Sequence, residues 1–160
     1  MKIAVLKERR PFEKRVAITP DTVKKYVALG YSVVIEAGAG VASSILDQHY
    51  VAAGASIAET PQATVEGAQI VLKVQRPMSA GDDLDEMALL PQGSVLVGML
   101  NPYSAREDLS AYASRNVTAM SMELMPRITR AQVMDVLSSQ STLVGYRAVL
   151  DAAEQFGRAF

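Results

Sequence analysis

The sequence has no cysteine, no tryptophan and a single histidine among 160 residues. Without thiols there is no disulfide framework, no thiolate metal site and no Cys–His nucleophile, and the composition suits a reducing compartment. One histidine alone does not supply the clustered ligands of a metal centre, so no metal is expected. It also leaves Ser–His catalysis poorly supported. That residue, His49 in "LDQHYVAAG", falls on an amphipathic stretch and reads as an ordinary helix side chain. An excess of one charge is missing too: 16 basic residues face 17 acidic ones, a net −1. No overall field then draws the chain to nucleic acid or to anionic lipid. No stretch reaches the roughly 18 uninterrupted apolar residues of a membrane span. The best run, 87–100, is broken by Pro91, Gln92, Gly93 and Ser94. The first ten residues place charges where a signal peptide needs an apolar core. The expectation is a soluble, cytoplasmic domain with no direct membrane insertion, whose membrane role, if any, comes through another chain.

What is present is ordinary globular material, 49% hydrophobic and 21% charged, in a length that suits one domain. Apolar, β-branched runs at 2–6, 31–35, 55–57, 69–74, 94–98 and 117–120 read as strands. Between them lie helix signals. Thr19 and Thr60 each precede a proline, the cap-plus-proline start. Gly30, Gly54 and Gly67 close helices. Ser104 and Glu107 match a capping box for a helix reaching about residue 114. Residues 141–160 carry apolar positions near the 3.6 period and read as a long helix. "QRPMSAGDDLDE" reads as a loop. Strands that alternate with helices and are apolar on both sides predict an α/β fold: a doubly wound, mostly parallel sheet with helices on both faces, Rossmann-like or flavodoxin-like. Such sheets bind ligands beyond the carboxyl ends of their strands.

Three sequence features compete for function. The run Gly38–Ala39–Gly40–Val41–Ala42–Ser43 imitates a dinucleotide fingerprint, with Glu59 further on. It lacks the third glycine and follows the second strand, so a glycine-rich turn is the better reading. Arg15, in the loop after the first strand, and Lys73, near the end of the fourth, would both sit near the carboxyl edge of the sheet. Together they could hold a carboxylate; equally, Lys73 could be paired to a nearby side chain such as Glu8. The third feature is "MELMPRITRAQVMDVLSSQS". As a helix from Thr129 it sets Gln132 and Asp135 three apart on one polar face. Periodicity favours a short amphipathic helix with a solvated face, but its place after the last strand puts it where ligands bind.

The stretches "KERRPFEKRVAITPDTVKKY", "VLKVQRP", "MELMPRITRAQVMDVLSSQS" and "GYRAVLDAA" resemble the N-terminal domain shared by alanine dehydrogenases and proton-translocating nicotinamide nucleotide transhydrogenases. The likeness runs over essentially the whole chain, in the right order, and is nearest to the transhydrogenase alpha subunit. It implies that residues 1–160 are the first domain of a two-domain NAD(H)-binding component, the Rossmann domain with the true glycine fingerprint being absent from this chain. It implies NAD(H) as cofactor, with NADP(H) on a partner component, a membrane component as second partner, and a homodimer at full length. The location implied is cytoplasmic, or peripheral on the cytoplasmic face of the inner membrane. In transhydrogenases a loop of this domain reaches the nicotinamide end of NAD(H). By position in the motif its residues here are Arg127, Ile128, Thr129, Gln132, Asp135 and Ser138, with Arg127, Gln132 and Asp135 most directly concerned with hydride transfer. Alanine dehydrogenases carry a histidine after the strand matching 94–98, where this chain reads "GMLNPYS". Arg15 and Lys73 match their substrate-carboxylate pair. An alanine dehydrogenase-like oxidoreductase and a non-catalytic binding or assembly domain therefore stand as alternatives to the transhydrogenase component.

Overall fold

The computed structural model describes residues 1–158, which fall into two units, one of Met1–Ser121 and one that begins at Met122. In the first unit six strands alternate with five helices: β1 (Lys2–Val5), α1 (Pro20–Ala28), β2 (Ser32–Glu36), α2 (Asp47–Ala52), β3 (Ser56–Ala58), α3 (Pro61–Val65), β4 (Ile70–Gln75), α4 (Glu86–Leu89), β5 (Val95–Met99), α5 (Arg106–Ser114) and β6 (Thr118–Ser121). All pair in parallel, in the order β3-β2-β1-β4-β5-β6. The order reverses between β1 and β4, which makes their carboxyl ends the topological switch point. This is the doubly wound, Rossmann-like α/β fold that the alternation of strand and helix signals predicts.

The apolar runs become two cores because a strand sends successive side chains to opposite faces. In β1, Ile3 and Val5 join Val33, Ile35, Val23 and Tyr50 on the face covered by α1 and α2. Ala4, with Leu6 just beyond the strand, joins Val71, Leu96, Leu90 and Tyr112 on the other face. Both faces are thus buried, which is why the strands read as continuous apolar runs.

The caps follow the sequence at α1 and α3, where the hydroxyls of Thr19 and Thr60 accept from the amides of Thr22 and Ala63 at 3.4 and 3.2 Å. At α5 they do not. Asn101 is left-handed (φ 51°), and its carbonyl accepts from the amides of both Ser104 and Ala105, at 3.1 and 3.0 Å. That turn absorbs Ser104, so the expected capping box is not formed and the cap moves one residue on, to Ala105. Helix α4, which begins at the last residue of the run read as a loop, is nucleated by Asp85, whose carboxylate accepts from the Ala88 amide at 3.0 Å.

Four of the six amides of the glycine run, 38–43, are engaged within the chain. The Gly38 amide donates to both carboxylate oxygens of Asp47 at 3.0 Å. The Ala39, Val41 and Ser43 amides go to the carbonyls of Glu36, Gly38 and Gly40. A carboxylate of the chain already stands where an anion would need to be. Gly40 is required by space rather than torsion: a Cβ there would lie 2.6 Å from the Ile45 carbonyl oxygen and 2.8 Å from the Tyr50 ring. Gly40→Ala should therefore lower stability by about 1–3 kcal/mol, the cost of overpacking a filled core. Urea unfolding with a midpoint equal to wild type would refute this. His49 is an exposed side chain whose Nδ1 accepts from the Leu46 amide at 3.2 Å.

The second unit contains a 3₁₀ turn at Met122–Leu124, a second 3₁₀ segment at Thr129–Met134, and the helix α6 (Val136–Gln155). Helix α6 begins five residues before the expected start because Asp135 caps it. The last two residues of the expected helix lie outside the described residues.

Candidate functional site: the segment 127–138

The two 3₁₀ residues that open this segment, Thr129 and Arg130, are exposed, as are Arg127 and Ile128 before them. Ile128 is extended (φ −116°, ψ 159°) and its carbonyl accepts from the Ala131 amide at 2.9 Å, which closes the first turn. The turn then stops at Asp135, whose ψ of 98° leaves helical space before α6 starts. An aspartate suits this break, because its carboxylate can satisfy the orphan amides of the next helix. Asp135 Oδ1 accepts from the Leu137 and Ser138 amides at 2.9 and 3.1 Å, and Oδ2 accepts from the Ser138 hydroxyl at 2.6 Å. Arg127 Nε lies 3.7 Å from the same Oδ2. The Ser138 hydroxyl, then the helix amides and the Arg127 charge, hold the Asp135 carboxyl below its usual range.

The expected shared polar face of Gln132 and Asp135 is not what forms. Gln132 is exposed, whereas the Asp135 side chain keeps only 7% of its surface and turns inward to cap α6. The sequence signal for this was the pattern Asp135–Val136–Leu137–Ser138, an N-cap residue directly before a helical run. What the segment presents to solvent is the Arg127 guanidinium (73% exposed), the Gln132 amide and the Ser138 hydroxyl. These offer fixed donors and acceptors, and no group suited to hand over a proton.

In the first unit, the carboxyl ends of β1 and β4 carry a buried charge cluster. Lys73 Nζ lies 2.7 Å from Glu86 Oε2, 3.7 Å from Glu8 Oε2 and 3.4 Å from the Lys7 carbonyl. Its side chain is 1% exposed and that of Glu86 is 0% exposed. Glu86 also accepts from Arg9 Nη1 at 2.9 Å and from the Met78 amide at 3.0 Å. Arg9 in turn holds Glu36 through two contacts. Glu8 ties β1 to β4 by accepting from the Val74 and Gln75 amides at 2.7 and 3.3 Å. Burial holds the Glu8 carboxyl above its usual range, against the pull of Lys73 and those amides. Arg15 grips Glu13 with Nε and Nη2 at 2.8 and 2.7 Å, and Gln75 Nε2 donates to the same carboxylate at 2.8 Å. With Arg15 its main cause, the Glu13 pKa is lowered to about 2. Arg10, Pro11, Phe12, Glu13 and Gln75 line an open crevice of about 450 Å³ here. Arg15 and Lys73 are thus each engaged by a carboxylate of the chain. Glu86, the main partner of Lys73, was not anticipated, although a lysine in a central parallel strand demands a counter-charge and "GDDLDE" follows that strand. Among the described residues there is no group of three or more His, Asp or Glu side chains placed to hold a metal, and no helix long and apolar enough to cross a membrane.

A parallel sheet ordered 3-2-1-4-5-6 with helices on both faces places the chain among the doubly wound, Rossmann-like α/β domains. More specifically, residues 4–144 match the family model of the alanine dehydrogenase/PNT N-terminal domain, and the chain belongs to that family. It is 55% identical over all 160 residues to an NAD(P) transhydrogenase alpha-subunit polypeptide of Rhodospirillum rubrum, covering 42% of that protein. It is 32% identical over 149 residues, 93% of the chain, to the alanine dehydrogenase of Methanococcus maripaludis, covering 38% of that protein. Among solved structures it superposes on the transhydrogenase from Sinorhizobium meliloti with a TM-score of 0.92, at 45% identity, over 99% of this chain and 46% of that one. The chain therefore spans less than half the length of these relatives.

Proposed function

We propose that the chain is the N-terminal domain of the NAD(H)-binding alpha component of a proton-translocating NAD(P) transhydrogenase. The whole protein exchanges hydride between NAD(H) and NADP(H), the latter held by a partner component. A membrane component couples the exchange to proton movement, and the alpha component works as a dimer at the cytoplasmic face of the membrane. The observation that carries this reading is the 55% identity to a transhydrogenase alpha subunit at full coverage of the chain. The stretch after β5 supports it. Oxidation of an amino acid must also move a proton, which calls for a positioned acid–base group, and "GMLNPYS" offers no histidine.

The segment 127–138 fits the nicotinamide end of NAD(H) by its donor set. An exposed amide, a guanidinium and a hydroxyl oxygen that accepts while its proton is held by Asp135 match a carboxamide and ribose hydroxyls. When bound, the dinucleotide supplies the hydride; the chain supplies position. Gln132 and Arg127 would hold the nicotinamide end, with Ile128 and Thr129 beside them. Asp135 orients Ser138 and Arg127 from behind. Direct transfer between two nicotinamides needs the rings at near-attack distance and little acid–base help, and positioning is what this segment's donors and acceptors can supply. A small anion at Lys73 or Arg15 would have to displace Glu86 or Glu13, which also favours hydride exchange over amino-acid chemistry. The complete enzyme should reduce an NADP⁺ analogue with NADH and produce no NADH from alanine. Robust alanine-dependent NADH formation would overturn the reading.

A further inference from the structure

We infer that Glu8 is a buried proton-binding site, a latch that holds the end of β4 while it is ionised and releases it on protonation. Strand β1 ends at Val5, whereas β4 runs on to Gln75. Beyond Leu72 the register of β4 against β5 shifts, as at a bulge. Gly98 admits this shift: a Cβ there would lie 2.7 Å from the Lys73 carbonyl oxygen. Successive amides of a regular strand point to opposite edges. Here those of Val74 and Gln75 converge, and the two oxygens of Glu8 accept one each, at 2.7 and 3.3 Å. The carboxylate stands in for the strand that β1 no longer provides. Converging amides of this kind hold an ionised oxygen more strongly than a neutral one.

The cluster around Glu8 carries one carboxylate more than its cations balance. Glu8, Glu36 and Glu86 are all buried, and the cations paired with them are Lys73 and Arg9. Glu86 takes Lys73 at 2.7 Å and Arg9 at 2.9 Å, and Glu36 takes Arg9 as well. Glu8 is left to share Lys73, at 3.7 Å. Arg15 acts on it from the loop before α1, but that guanidinium is clasped to Glu13. Facing Glu8 are therefore Lys73 of β4, Glu86 of α4 and Arg15 of the loop, and Glu8 is the least compensated carboxylate among them. Burial raises its pKa and Glu86 adds to the rise, against Lys73 and the two amides. Protonation leaves Lys73 with Glu86. It also turns one oxygen of Glu8 into a donor, so the two amides can no longer both be held. Gln75 lines the crevice and donates to Glu13, which in turn clasps Arg15. Releasing the end of β4 loosens that wall, which makes the crevice at the switch point sensitive to acid.

Nuclear magnetic resonance of the chain tests this through the Val74 and Gln75 amides, followed across a pH titration at fixed ionic strength. Both amide protons should move upfield together, with one midpoint above the usual glutamate value. Glu13, whose pKa is about 2, lies too low to produce that midpoint. Below it, both amides should exchange with deuterium at least about tenfold faster than above it once intrinsic pH dependence is removed, the loss expected for hydrogen bonds to a charged group. Glu8→Gln keeps the shape but has one acceptor oxygen. It should abolish the shared titration and leave at least one of the two amides exchanging at the acid-state rate throughout. In urea, the wild type should lose stability relative to Glu8→Gln as pH rises through the midpoint, because a carboxyl whose pKa is raised on folding favours the fold while protonated. A wild-type titration without a shared midpoint above the glutamate value overturns the inference, whether or not Glu8→Gln folds. So does amide protection that is unchanged across the midpoint, or a titration that persists in Glu8→Gln.

Discussion

Gln132→Asn in the complete enzyme is expected to slow hydride transfer on the order of a hundredfold, because shortening the side chain by one carbon misplaces a reacting ring by about 1 Å. Arg127→Ala should have a similar effect. Neither should disturb the fold. Gln132 is exposed and the Arg127 guanidinium stands 73% in solvent, 3.7 Å from its only ion-pair partner among the described residues. Exposed polar side chains of this kind usually change stability within about 0.5 kcal/mol. The two consequences can be read in the same samples, as single-turnover hydride transfer and thermal unfolding. Asp135→Ala is a poorer probe. That carboxylate accepts from two helix amides and the Ser138 hydroxyl, so its removal frays α6 and frees Ser138 together. A slowed Asp135 variant would not show whether a ligand contact or a cap was lost. If Gln132→Asn and Arg127→Ala transfer hydride near the wild-type rate while NADH still binds, the segment is scaffold and the functional assignment fails.

The contrast between Gln132 and Asp135 also shows where the sequence was readable. The sheet was legible because each strand has the same requirement: both faces are covered, so each becomes an uninterrupted apolar run between helix caps. Thr19–Pro20 and Thr60–Pro61 announce their helices through local chemistry alone. Ser104 looked equally clear, yet a left-handed Asn101 three residues earlier draws the Ser104 and Ala105 amides into a turn, a competitor that period and composition do not reveal. Segment 127–138 was readable as a set of residue types, but not as a geometry. Its 3₁₀ turn is too short to impose a period, and the direction of Asp135 is set by the next helix. Lys73 needed a counter-charge on physical grounds. Which acid supplies it depends on a four-residue helix, α4, that is too short to carry a signal of its own.

That counter-charge gives the largest stability effect expected in the domain. Glu86→Ala should destabilise it by about 3–5 kcal/mol, the range for removing one partner of a buried ion pair. At roughly 2–4 °C per kcal/mol for a chain of this size, the unfolding temperature should fall by about 10 °C. The magnitude follows from what Glu86 holds. It satisfies the buried Lys73 ammonium, one nitrogen of Arg9 and the Met78 amide at once, with its side chain fully withdrawn from water. Its loss strands the Lys73 ammonium and a backbone donor, and leaves Arg9 to Glu36 alone. Glu8 cannot take over Lys73 unaided, since it stands 3.7 Å away and is already committed to the Val74 and Gln75 amides. Removing both charges is a different matter, because desolvation of an ion pair offsets much of its attraction. Glu86→Leu combined with Lys73→Met should therefore be less damaging than either single change, with a coupling energy on the order of 1–3 kcal/mol in a double-mutant cycle. The cycle is measured by urea unfolding of the four proteins. A Glu86→Ala loss below about 1 kcal/mol, in the range of exposed pairs, would mean that water reaches Lys73. The cluster would then be open to a competing anion, and the case against amino-acid chemistry at this edge would lose its support.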